Sequence, residues 1–156
     1  WALTKQLYFE DVKIGTELPI LEKTPTTQQL VMYAGASGDF YEIHYDRDFA
    51  NHRGLREIIV HGALKAAFLG QLVTNWVGDN GTLTKLSAQY RKMDARDDKL
   101  ICTGIVNSKR KSDTRAANDT IYRFRYVWNG CVSPKLTGQI KISGFTGSHE
   151  LRPGSG

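Results

Sequence analysis

The sequence predicts an α+β fold in which an antiparallel sheet wraps around one long central helix. The stretch from residue 62 to 77 is apolar on most of its circumference, which places a helix inside a core rather than on a surface. Four later segments, 82–93, 100–109, 120–128 and 136–145, are similar in length and rich in Val, Ile, Tyr, Phe and Thr. Turn-prone groups at 95–98, 112–119 and 129–134 separate them, so they read as an antiparallel meander. With 156 residues, 40% of them hydrophobic, the chain suits one domain over 1–156, with 147–156 as a disordered tail.

Each element has a local reason. Residues 18–23 follow a turn at Gly15 and read as a first strand, ended by Thr24-Pro25. Thr26 and Thr27 offer N-cap hydroxyls, and Leu30, Val31 and Ala34 recur at helical spacing, so a helix is expected over 27–36. Gly35-Ala36-Ser37-Gly38 should end it, because glycine accepts backbone angles that other residues resist. Residues 39–53 show no clean period and read as a polar–aromatic loop with a short helix near 46–51, the kind of segment where functional groups are placed. Gly78 should close the central helix, with Asp79-Asn80-Gly81 as the turn. Within 120–128, Tyr122, Phe124, Tyr126 and Trp128 alternate with Ile121, Arg123, Arg125 and Val127, the pattern of a sheet with one aromatic, buried face.

Composition excludes several classes. No apolar run reaches the roughly 18 residues of a membrane span, and no basic segment precedes an apolar one as in a secretion signal, so a soluble, cytoplasmic protein is expected. The net charge of +5 suits a phosphate-bearing partner, but the chain has neither zinc-finger spacing nor an RNA-recognition signature, and no nucleic-acid partner is expected. The basic group at 109–115 reads as a solvated hairpin turn. Cys102 and Cys131 lie in strand-like segments without a metal-ligand neighbour and read as reduced core residues.

Asp39 and His44 carry the chemistry. Five residues apart, they fall on opposite faces of a strand and roughly 140° apart on a helix, so only an irregular loop aims both at one small volume. A carboxylate and an imidazole around a shared water suit reversible hydration: the imidazole moves a proton near neutral pH while the carboxyl group delivers or expels the hydroxyl. The enolate formed on the way needs backbone N–H donors, which the start of a buried helix supplies. Gly62 sits at that start and, lacking a side chain, lets a carbonyl oxygen come close, so its N–H is the candidate oxyanion donor. His61 reads as structural, and the acidic residues Glu42, Asp46 and Asp48 read as solvated, so no metal is expected.

Three runs of these residues resemble a known motif. Tyr33-Ala34-Gly35-Ala36-Ser37-Gly38-Asp39, then Ile43-His44-Tyr45-Asp46, then Ile59-Val60-His61-Gly62-Ala63-Leu64 are similar to the hydratase motif of the MaoC-like family. Within it, the resemblance is to (R)-specific enoyl-CoA hydratases and mycobacterial-type 3-hydroxyacyl-thioester dehydratases, and it extends from about Phe9 to Phe145. It implies a hot dog fold, a dimer joined sheet edge to sheet edge, and an acyl tunnel near the dimer interface. By motif position it places the catalytic Asp on Asp39, the catalytic His on His44 and the helix-start glycine on Gly62. Two positions depart: Tyr41-Glu42 stands where the family often has Asn-Pro, and Ala67 where many hydratases carry Ser. The first bears on loop orientation and substrate shape; the second removes a polar group from the helix.

The expected function is hydration of trans-2-enoyl thioesters, or dehydration of (R)-3-hydroxyacyl thioesters. No cofactor is expected beyond the coenzyme A or acyl carrier protein that bears the acyl group. The expected assembly is a homodimer, or a heterodimer with a related chain. The alternatives are a non-catalytic acyl-binding subunit of a heteromeric dehydratase and a thioesterase on the same fold.

Overall fold

A computed structural model describes residue 7 and residues 11–78, 81–88, 90, 92–111, 120–128 and 137–142, with side chains as far as residue 110. The expected tail at 147–156, Cys131 and the aromatic face of 120–128 lie outside what is described. Five strands, β1 (Leu21–Lys23), β2 (Gly81–Ser87), β3 (Leu100–Lys111), β4 (Thr120–Trp128) and β5 (Thr137–Ile142), form one antiparallel sheet in the order β1-β3-β4-β5-β2. Three α-helices are described: α1 (Thr27–Ser37), α2 (Arg47–His52) and α3 (Gly62–Val77); a 3-10 turn spans Glu42–His44.

Helix α1 begins and ends for the reasons expected. Thr26 caps α1, its hydroxyl accepting from Gln29 N at 3.3 Å, and Gly38 ends it in the left-handed region at φ 75°. Leu30 and Ala34 are the buried face of α1; Val31, expected to share it, is half exposed. Asp46 caps α2 through Phe49 N at 2.9 Å. Helix α3 runs between the expected bounds, and Leu64, Phe68, Leu69, Leu72, Val73 and Val77 line its buried side. They form one core with Leu30, Ile58, Val60, Leu100, Cys102 and Val106. Burial pushes the Cys102 thiol up to about 11, which makes it a core residue rather than a nucleophile. Among the described residues no helix is long and apolar enough to cross a membrane.

The meander holds for β3, β4 and β5 but not for β2, which pairs with β5 at the far edge instead of with β3. The connection between β2 and β3 explains this. Rather than turning back as a hairpin, it pairs with the segment ahead of α3: Val60 N donates to Asp94 O at 2.8 Å, Arg96 N donates to Ile58 O at 3.0 Å, and Ile59 bridges Ala95. For the same reason β2 stops at Ser87 and does not run on to Met93. A register shift between Leu83 and Lys85 adjusts β2, and both Leu83 and Leu86 approach Gly70 of α3. Three residues apart, they would lie on opposite faces of an unbulged strand.

Lys65 is the polar exception on α3, only 5% exposed. Its ammonium pairs with Asp94 at 2.8 Å, donates to Lys92 O at 3.2 Å and lies 5.2 Å from the centre of the Tyr90 ring. A buried charge requires such partners, and here they fasten the β2–β3 connection to the helix.

Candidate active site

The segment before α3 is held from two sides, and both fix the site. On one side lies the strand-like pairing to residues 94–96. On the other, Ile59 N donates to Ile43 O at 3.0 Å, and the Ile59 carbonyl accepts from His44 Nδ1 at 2.7 Å. A carbonyl only accepts, so Nδ1 carries the proton and the lone pair of His44 lies on Nε2. That nitrogen faces Asp39 Oδ2 at 4.0 Å. The gap is too long for a direct hydrogen bond and of the size that one bridging water or hydroxyl spans.

Asp39 is placed by the end of α1. The Gly38 N–H closes the last turn on Ala34 O, the Ser37 hydroxyl donates to Tyr33 O at 2.7 Å, and Asp39 N donates back to that hydroxyl at 3.3 Å. After the left-handed turn at Gly38 the chain reverses and enters the 3-10 turn that brings His44 round. His44 is buried, whereas the Asp39 side chain is 49% exposed: the site has a fixed imidazole floor and an open carboxylate rim. Tyr41 lies at φ −66° and ψ 122° and Glu42 opens the 3-10 turn. An Asn-Pro pair would occupy the same backbone, since the residue before proline prefers extended angles and proline suits a first helical position. The departure at these two positions is therefore compatible with the backbone seen here.

His61 is the residue whose part the sequence understates. It is fully buried, and its ring stacks on His44 with centroids 3.8 Å apart and planes inclined at 21°. Its Nε2 is 3.3 Å from the Asp39 carbonyl oxygen, and the Tyr33 ring meets it edge to face at 5.0 Å. Burial, and then the neighbouring His44, hold its pKa below the ordinary histidine value. Its place just ahead of Gly62 was visible in the sequence, but no local pattern joins it to Asp39, 22 residues earlier.

Gly62 is the first residue of α3, and the His61 side chain does not cap the helix. The first N–H groups of a helix have no intrahelical acceptor and lie at the positive end of its dipole. A Cβ at Gly62 would stand 3.1 Å from the Tyr90 ring, so the glycine leaves just enough room for that ring against the helix start. Ala67, where many hydratases carry Ser, is exposed on α3.

Asp39, His44 and His61 each offer a ligand atom within 4.8 Å of the others. Imidazole lone pairs lie in the ring plane, however, and two stacked rings send theirs side by side rather than toward one ion. The arrangement suits the movement of a proton better than chelation.

Residues 11–123, more than half of the chain, match the MaoC like domain family. The fatty acid synthase subunit beta of Saccharomyces cerevisiae is 29% identical over 164 residues, 94% of this chain but 7% of that protein, so the chain spans a small part of that relative. The (R)-specific enoyl-CoA hydratase of Rhodospirillum rubrum is 29% identical over 108 residues, 66% of this chain and 74% of that one. The 3-oxo-4,17-pregnadiene-20-carboxyl-CoA hydratase beta subunit of Mycobacterium tuberculosis is 23% identical over 130 residues, 83% of this chain and 95% of that one. The solved (R)-hydratase from A. caviae, involved in PHA biosynthesis, superposes with a TM-score of 0.68 at 18% identity, over 85% of this chain and 96% of that one. The chain belongs to the MaoC-like family and has its hot dog fold.

Proposed function

We propose that this chain adds water to the double bond of trans-2-enoyl thioesters and removes it from (R)-3-hydroxyacyl thioesters. The observation that carries the reading is the free Nε2 lone pair of a buried, oriented His44 facing the Asp39 carboxylate at 4.0 Å. A water held between the two gives up a proton to His44 Nε2 as its oxygen bonds to the third carbon of the acyl group. The electrons of the double bond move to the thioester oxygen, and the Gly62 N–H at the start of α3 stabilises the resulting enolate. The acid–base pair then returns the proton to the second carbon, the enolate collapses, and both side chains regain their starting state. Asp39, on the open rim, orients the water and the hydroxyl it becomes.

The reaction draws on no metal or other cofactor; coenzyme A or an acyl carrier protein enters only as the carrier on the substrate. The likeness to a hydratase beta subunit favours a second reading of the assembly, in which a related chain rather than a second copy completes the dimer. Incubation with a 2-enoyl-CoA tests the function through its product. A 3-hydroxyacyl-CoA of R configuration supports it, release of free thiol points to a thioesterase instead, and inactivity relieved by a co-purifying chain supports the heteromer.

A further inference from the structure

We propose that His61 is the positioning residue of this site, one buried side chain that tethers Asp39 and carries His44 on its face. The inference rests on the hydratase reading and adds a residue to it. Asp39 sits on an open turn with its carboxylate half in solvent. Its carbonyl oxygen lies 3.3 Å from His61 Nε2, across 22 residues of sequence, and a carbonyl only accepts. His61 Nε2 therefore carries the proton and donates it. The same ring lies flat under His44 at 3.8 Å. His44 is itself held at Nδ1 by Ile59, two residues before His61, so imidazole, tether and stack all hang on the segment that leads into α3.

The remaining nitrogen shows why the residue suits this task. With Nε2 donating, Nδ1 bears the lone pair, and it is buried with no hydrogen-bond partner among the described residues. A proton placed there would be a buried charge without an acceptor, next to a second imidazole that is itself taking up a proton. Among the described residues, the ionisable groups around the stack are Asp39, Tyr41 and His44 on the loop, Tyr33 on α1, and Tyr90, whose ring lies against Gly62. On α3 there is Lys65, whose ammonium is drawn away to Asp94. None of them supplies that acceptor. His61 thus stays neutral while His44 cycles, and a neutral aromatic face beneath a ring that becomes cationic stabilises it.

Two substitutions separate the two contacts. His61→Phe keeps a flat ring under His44 and removes the donor to Asp39; His61→Gln keeps a donor at about the reach of Nε2 and removes the ring. A small displacement of a catalytic group costs up to about 100-fold in rate, so each variant should lose about 10- to 100-fold in kcat with KM changed less than about twofold. Combined with Asp39→Asn, His61→Phe should lose little more than Asp39→Asn alone, because that substitution acts through Asp39. Single variants that keep wild-type kcat, or that raise KM alone, overturn the proposal. Histidine side-chain nitrogen NMR of the wild-type protein decides it without turnover. The expected spectrum has His61 as the Nε2–H tautomer, mostly neutral at pH 6.5, the ordinary histidine midpoint. An Nδ1–H tautomer, or a His61 half or more protonated at that pH, overturns it. A wild type inactive on every enoyl thioester, yet with the expected nitrogen spectrum, removes the hydratase reading and leaves His61 as the geometric anchor of Asp39 and His44.

Discussion

A hydrogen bond of 2.7 Å from His44 Nδ1 to the Ile59 carbonyl determines which nitrogen of His44 is available for chemistry. A substitution can isolate the separate task proposed for Gly62. His61, the residue before it, has φ −54° and ψ 135°, the extended backbone that a following proline requires, and proline is tolerated at the first position of a helix. Gly62→Pro should therefore keep α3 while removing the N–H assigned to the enolate, lowering kcat by about 100- to 1,000-fold. Gly62→Ala is the control for bulk, since the atoms nearest its Cβ belong to the Tyr90 ring, at 3.1 Å, and Tyr90 is half exposed. Steady-state kinetics in which Gly62→Pro and Gly62→Ala behave alike would remove Gly62 from the oxyanion role. Asp39, His44 and Gly62 were legible because each is a chemically suggestive residue at a local break in pattern. The stack beneath them was not, because it joins three segments that only the tertiary fold brings together.

At the scale of elements, strong local signals served well. The cap at Thr26, the left-handed Gly38 and the apolar circumference of α3 all lie where the residues place them. The pairing of β2 was not legible, because strand order depends on long-range contacts and the connection from 88 to 99 has a competing partner in residues 58–60. That partner then serves the site, since the pairing that draws the chain away from a hairpin also holds Ile59 under His44. The junction of α3 and β2 makes a second prediction. A Cβ at Gly81 would fall inside the Val77 side chain, and Val77 is 1% exposed with no room to move. Gly81→Ala should destabilise the fold by about 1–3 kcal/mol or more, as overpacking of a filled core does. Chemical denaturation checks it: a midpoint equal to that of wild type would mean that the helix and strand are less closely packed than described.

For the whole molecule, the site imposes a pH dependence on stability. His61 has its pKa below the ordinary 6.5, chiefly through burial and secondarily through His44. Below that value the unfolded chain binds a proton that the folded chain refuses, so this contribution is complete above pH 6.5 and is lost as pH falls toward the folded-state pKa. The melting temperature should drop as pH falls below about 6.5, and His61→Gln, which does not titrate, should flatten the drop. A profile of the same slope in both proteins would assign the acid sensitivity to other groups. The depressed Glu57 carboxyl, bonded to Ile58 N and paired with Arg96 and Arg47, acts at lower pH, around and below the ordinary carboxylate value.

The fold, the loop and the helix start converge on one claim, that Asp39 and His44 act together on a water at the double bond of an acyl thioester. Its most direct test is the loss of enoyl-thioester ultraviolet absorbance when crotonyl-CoA and a longer 2-enoyl-CoA are mixed with wild type, Asp39→Asn and His44→Gln. Rapid loss with wild type, and a rate lower by about 100-fold or more with either variant, is the expected result. Wild-type rates retained by either variant would contradict the assigned pair, and no loss with wild type on either substrate would contradict the reaction for this chain acting alone.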